Sequence, residues 1–252
     1  MVPGSPLAES FQHIPHNLAR VREDMAEAAR RAGRPPHDIT LVAVSKTHPA
    51  QAVLAAWQAG QRVFGENRVQ EALEKQTALA GNVPDLEWHL VGHLQSNKAR
   101  LVPGRFALLH SLDSAKLAQA LNRQTENIPP QNNPGIPAKR LRVLLQVNTG
   151  GEDTKSGARS LEDLKALAAA AAECPGLDVR GLMTLPPPDL GEAPTRKLFA
   201  QVREACELIR GEFGLTECRE LSMGMSHDFA WAIQEGSTLI RVGTAIFGHR
   251  EG

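Results

Sequence analysis

Tyrosine is missing from all 252 residues, so no phenol is available as an acid or base in any chemistry this chain performs. Cysteine is scarce as well. The three thiols, Cys174, Cys206 and Cys218, show no CxxC spacing and sit in no secretory context, so free thiols in the cytoplasm are the expectation. Excess charge is also missing: 28 basic and 28 acidic side chains cancel. That balance argues against a nucleic-acid or membrane-surface partner held by bulk electrostatics. The amino-terminal MVPGSPLAES lacks the basic start and apolar core of a signal peptide. No apolar run approaches the roughly 18 residues that span a bilayer.

What the chain does have is alternation. Short apolar or β-branched runs recur at 40–45, 62–64, 87–91, 106–110, 142–147, 179–185, 219–222 and 239–242. Between them lie Ala-, Leu- and Glu-rich stretches of helical period, such as 50–59, 161–172 and 195–210, and a first helix over 15–32 precedes every strand. Strands alternating with helices imply right-handed parallel crossovers, and eight of them in this length predict a single (β/α)8 TIM barrel in the α/β class. An open doubly wound sheet is the rival, but it gives no reason for the number eight. One barrel domain over 1–252 is expected, with the Pro- and Asn-rich stretch 127–138 (IPPQNNPGIPA within it) as an irregular loop before the fifth strand.

In such barrels chemistry sits at the carboxyl ends of the strands. The first strand delivers Lys46 there, in AVSKTHPA, and Pro49 follows where a helix begins. The second ends in FGEN, the fifth in Asn148-Thr149-Gly150, the seventh in SMGMS and the eighth in RVGT. Glycine beside hydroxyl residues exposes backbone N–H groups, and the loops after strands seven and eight are the usual phosphate site of the fold. Ser226 is expected to cap the helix over 227–235. A phosphate opposite a strand-end lysine suggests pyridoxal 5'-phosphate, because partial desolvation favours the neutral amine that forms a Schiff base. An aldolase-type lysine is the other catalytic reading. GGEDTKSG at 150–157 fails the spacing of a phosphate loop, although Lys155 is placed to face the mouth. His89 and His93 should point to the same side of a strand, but no third ligand accompanies them, so no metal is expected.

AVSKTHP, FGENRVQE, WHLVGHLQSNK, GLMTLP, LSMGMSHDF and STLIRVGTAIFG together resemble the pyridoxal phosphate homeostasis protein family, from about residue 39 to 248. That family is similar in fold to the alanine racemase barrel domain. The resemblance implies Lys46 as the Schiff-base lysine and Ser222, Gly243 and Thr244 on the phosphate, with Ser226 and Met223 close by. It further implies Arg241 against the pyridine nitrogen and Asn67 near the ring. Ala230 and Trp231 depart from the family pattern after SMGMS, which leaves the cofactor contacts intact. An arginine at the ring nitrogen weakens the ring as an electron sink. The tyrosine that alanine racemase-like enzymes receive from a second domain has no counterpart before the chain ends at Gly252. The expected function is therefore cofactor binding, buffering and transfer without robust turnover, by a cytoplasmic monomer serving pyridoxal phosphate-dependent apoenzymes. A minimal amino-acid racemase is the alternative, and an interaction module with a structural cofactor is a third class.

Overall fold

All the apolar runs enter one sheet. In chain order the strands are β1 (Thr40–Val44), β2 (Val63–Glu66), β3 (Glu87–Leu90), β4 (Leu108–Leu112), β5 (Leu141–Val147), β6 (Leu177–Thr184), β7 (Glu220–Ser222) and β8 (Leu239–Val242). Each pairs in parallel with the next, and β8 returns to β1 with Val42 beside Arg241, closing the barrel. This is a computed structural model, and it describes residues 11–125, 140–150, 156–187 and 189–248. The expected loop at 127–138 and Lys155 lie outside the described residues.

The helices among the described residues are α1 (His13–Arg31), α2 (Ala50–Gln58), α3 (Val69–Leu79), α4 (Ala115–Thr125), α5 (Leu161–Ala172), α6 (Glu192–Glu212), α7 (Phe229–Gln234) and α8 (Thr244–Phe247). Between β3 and β4 a 3-10 stretch, Ser96–Leu101, replaces the usual helix, and Pro103 follows to end it. Helix α1 carries Ile14, Leu18, Val21, Ala28 and Ala29 on one buried stripe, which packs against α2, α7 and α8. It stops where Gly33 takes φ 65° and Arg34 N–H reaches back to the Ala29 carbonyl.

Strand alternation divides the interior. Leu41 and Ala43 face the layer between strands and helices, while Val42 and Val44 face the lumen with Val91, Leu108, Leu144, Met183 and Leu239. Apolar residues on both faces explain why these strands read as continuous apolar runs. The fourth strand begins two residues later than its sequence pattern suggests, because Phe106 and Ala107 lie in the approach to it. The lumen is not purely apolar. Glu87, Arg142 and Glu220 gather at its amino end, and His89, His110, Ser222 and Arg241 are buried above them.

Candidate functional site

At the carboxyl end of the barrel a cavity of about 1070 Å³ opens, lined by Lys46, Asn67, Ser226, Arg241, Gly243 and Thr244 among others. These residues come from the ends of β1, β2, β7 and β8, so the closed topology brings together what the sequence separates by almost 200 positions.

Lys46 is half-buried at the lip, one residue past the buried Ser45. Its turn is held from outside the barrel. Thr47 has φ 67°, a left-handed conformation that is strained for a β-branched residue. Its N–H donates to Glu71 Oε1, and His48 N–H donates to the Ser45 carbonyl at 3.1 Å. Lys75 of α3 donates to the same Ser45 carbonyl at 2.7 Å, to Glu66 Oε1 at 2.6 Å and to Glu71 Oε1 at 2.8 Å. Ser45 Oγ completes the group by donating to Glu66 Oε1 at 2.6 Å. Burial pushes the Glu66 carboxyl upward, against the opposing pull of Lys75.

Asn67 sits against a bare backbone. A Cβ on Gly92 would lie 2.3 Å from the Asn67 carbonyl oxygen, so only glycine permits this approach. The loop after β7 needs Gly224 for the same reason and for conformation: its φ is 96°, and a side chain would strike Ala232 at 2.7 Å. That loop then turns at Met225, whose N–H donates to Asp228 Oδ1. The turn corrects one expectation. Helix α7 starts at Phe229 behind Asp228, so Ser226 caps no helix and instead lines the cavity. After β8, Gly243 and Thr244 open α8, where the first N–H groups have no intrahelical acceptor.

Arg241 forms the floor, with 5% of its surface exposed. Burial lowers its pKa to about 10, opposed by the charge of Asp228, so it is cationic at neutral pH. It donates one guanidinium N–H to Ser222 Oγ and another to the Thr184 carbonyl at 2.8 Å. A guanidinium has five N–H donors and no acceptor. The rest of its donors are therefore available at the cavity floor, and no carboxylate forms an ion pair with it among the described residues.

Two expected contacts fall elsewhere. Ser222 is fully buried below the cavity, its hydroxyl engaged by Arg241 and by His110 Nδ1 at 2.8 Å. Met223 turns its side chain outward into the core between strands and helices, and its N–H donates to the Leu239 carbonyl at 3.1 Å. Both lie just below the rim, where one residue of depth or one step of alternation decides which side of the wall a group reaches. His89 and His93 also part. His89 lies in the lumen, while His93 lines the cavity, its Nδ1 2.9 Å from Asp113 Oδ2 and 3.2 Å from Ser156 Oγ. Sequence reasoning passed over His110, although its place at the end of an apolar run was a usable sign that it enters the lumen.

Fold and site together define an alanine racemase-type barrel, and the family model described as alanine racemase, N-terminal domain, matches residues 16–251. The pyridoxal phosphate homeostasis protein of Escherichia coli strain K12 is 44% identical over 240 residues, covering 94% of this chain and 97% of that protein. Its counterpart from Pseudomonas aeruginosa is 46% identical over 239 residues, covering 94% and 96%. The chain belongs to the pyridoxal phosphate homeostasis protein family. Among solved structures, PipY of Synechococcus elongatus with pyridoxal phosphate bound is 40% identical with a TM-score of 0.78, covering 93% of this chain and 100% of that one. Alanine racemase from Corynebacterium glutamicum shares the fold at 20% identity and a TM-score of 0.66, covering 96% of this chain and 62% of that one.

Proposed function

We propose that this protein binds pyridoxal 5'-phosphate covalently through Lys46 and serves to store the cofactor and hand it to pyridoxal phosphate-dependent apoenzymes, without robust turnover of its own. The observation that carries the reading is the pairing in one cavity of a strand-end lysine with a buried guanidinium that has donors to offer and, among the described residues, no carboxylate in an ion pair with it. The relatives' names and the ligand of PipY support the choice of cofactor.

In this reading Lys46 supplies the amine, and Ser226, Gly243 and Thr244 take the phosphate with small side chains and exposed backbone N–H groups. Asn67 flanks the ring. Arg241 donates to the ring nitrogen, an uncharged acceptor that suits a buried cation with no ion pair among the described residues. When bound, pyridoxal phosphate can act as an electron sink for carbanion chemistry, strongly so only when its ring nitrogen is protonated. An arginine donor cannot give up its proton to that nitrogen, so it holds the nitrogen unprotonated and the sink weak. Ser222 and Met223, placed below the rim, take no part at the phosphate. The cytoplasm is its setting on the sequence grounds above, and a monomer is the state expected of it. Among the described residues no helix is long and apolar enough to cross a membrane.

The test is borohydride reduction of cofactor-loaded protein followed by peptide mapping, together with an alanine racemisation assay. The adduct is expected on Lys46 and racemisation at background. An adduct on another lysine, or rapid racemisation by the purified protein, overturns the assignment.

A further inference from the structure

Below Arg241 a file of hydrogen-bonded side chains descends through the lumen, unused by the cavity contacts. Ser222 Oγ, which receives an Arg241 N–H, lies 2.8 Å from His110 Nδ1, and His110 Nε2 lies 2.9 Å from His89 Nδ1. The three residues stand on β7, β4 and β3, and all are buried, at 0%, 0% and 5% exposure. Their neighbours in the lumen are Val42, Val91, Leu108 and Leu144, positions where aliphatic side chains are the ordinary filling of such a barrel.

We propose that His110 and His89 are positioning residues for Arg241, fixing through Ser222 where its remaining donors stand beneath the cofactor ring. The inference rests on the pyridoxal phosphate reading above. Arg241 can only donate. Ser222 therefore accepts from it and gives its single hydroxyl proton to His110 Nδ1. His110 must then carry its own proton on Nε2 and donate it to His89 Nδ1, which leaves His89 protonated on Nε2, toward the amino end of the lumen. In the reverse order Ser222 would accept twice, and among the described residues its own proton would have no acceptor. This order satisfies the Ser222 hydroxyl and both ring nitrogens of His110, and a buried chain with one allowed order holds its members in place.

Both rings stay neutral. Burial lowers His89 to about 3, aided by Arg142, and drives His110 lower as well, aided by His89 and Arg241. A proton on His110 would put a second cation beside the guanidinium and remove the acceptor that Ser222 needs. The file is thus a rigid polar scaffold and carries no mobile charge.

The first experiment uses cofactor-free protein labelled with nitrogen-15 in histidine. Two buried rings are expected to be neutral with the proton on Nε2 from pH 5 to 8. A proton on His110 Nδ1, or a ring that charges in this range, overturns the proposal. The second compares cofactor affinity and visible spectrum in His110→Leu, His110→Asn and Ser222→Ala. His110→Leu should still give the reduced Lys46 adduct but bind the cofactor about tenfold more weakly, with the same spectral change as Ser222→Ala. His110→Asn can offer an oxygen near the Nδ1 position and should recover most of the affinity. Wild-type affinity and spectrum in both His110→Leu and Ser222→Ala sink the idea, and Ser222→Ala with the tautomers decides it if His110→Leu fails to fold. If wild type yields no Lys46 adduct, the cofactor reading has failed, while the tautomers still report on the file.

Discussion

Lys46 and Lys75 meet the same turn from opposite sides of the barrel wall. Lys75 comes from outside, with a side chain 6% exposed, and donates to the carbonyl of the residue preceding Lys46 and to two carboxylates. An ammonium has three donors, and all three are engaged. Lys46 points into the cavity, and among the described residues it makes no hydrogen bond or ion pair. The difference teaches that burial alone does not mark a reactive lysine. Lys75 is the more buried of the two, yet two carboxylates and a carbonyl fix its place, and its work is to hold the strained turn that presents Lys46.

Exchanging alanine for each lysine in turn is the strongest way to break this comparison. Lys46→Ala is expected to abolish the borohydride-fixed adduct completely while leaving urea unfolding within about 0.5 kcal/mol of wild type, as for a substitution outside the core. Lys75→Ala should do the reverse. It leaves Glu66, whose carboxyl is fully buried and already has one oxygen without a partner, as an uncompensated charge. Removing one member of a buried pair destabilises by about 3–5 kcal/mol, read as the change in urea midpoint. An adduct surviving in Lys46→Ala, or a loss under 1 kcal/mol in Lys75→Ala, would erase the distinction between the two lysines.

How far this division was visible beforehand depends on what each feature rests on. The eight strands were legible because parallel strands buried on both faces leave unbroken apolar runs. Lys46, Gly243 and Thr244 were legible as cavity residues because a strand's end fixes the rim. Arg241 was legible as lumen-facing because it alternates with Ile240 and Val242. The pairing of Lys75 with Glu66 was not, since they stand nine residues apart on two successive elements and only the packing of α3 on β2 makes them neighbours. Ser222 lies deeper than a strand-end hydroxyl suggests, and the depth of the strand brings it to Arg241 and His110. Ser226 looked like a helix cap because the helix start was placed two residues early, and Asp228 takes up the turn.

A smaller effect sharpens the contrast within the cavity itself. If Thr244 meets the phosphate with its hydroxyl, Thr244→Val keeps the shape and removes one hydrogen bond to a charged group. Such a bond contributes about 1.5–3 kcal/mol, or roughly 10- to 150-fold in cofactor affinity. Fluorescence titration of the two proteins measures it, with the Lys46 adduct preserved in both. An unchanged dissociation constant would remove the Thr244 hydroxyl from the phosphate.

The smallest effect per step is on stability in mild acid, and it comes from the lumen. His89, held down to about 3, and His110, also lowered, take up protons from the ordinary histidine range only when the chain unfolds. Below pH 6.5 the unfolded state thus binds more protons than the folded one, so both rings make stability fall as pH falls. Each contributes at most about 1.4 kcal/mol per pH unit. Glu66, Glu87 and Glu220, raised by burial, act with the opposite sign at the lower end of this range. A difference measurement separates the two. Between pH 6.5 and 5.5, wild type should lose stability more steeply than His89→Leu, by up to that slope for the one ring removed, because the carboxylates are common to both proteins. Parallel pH profiles for the two would mean that His89 is charged in the folded barrel.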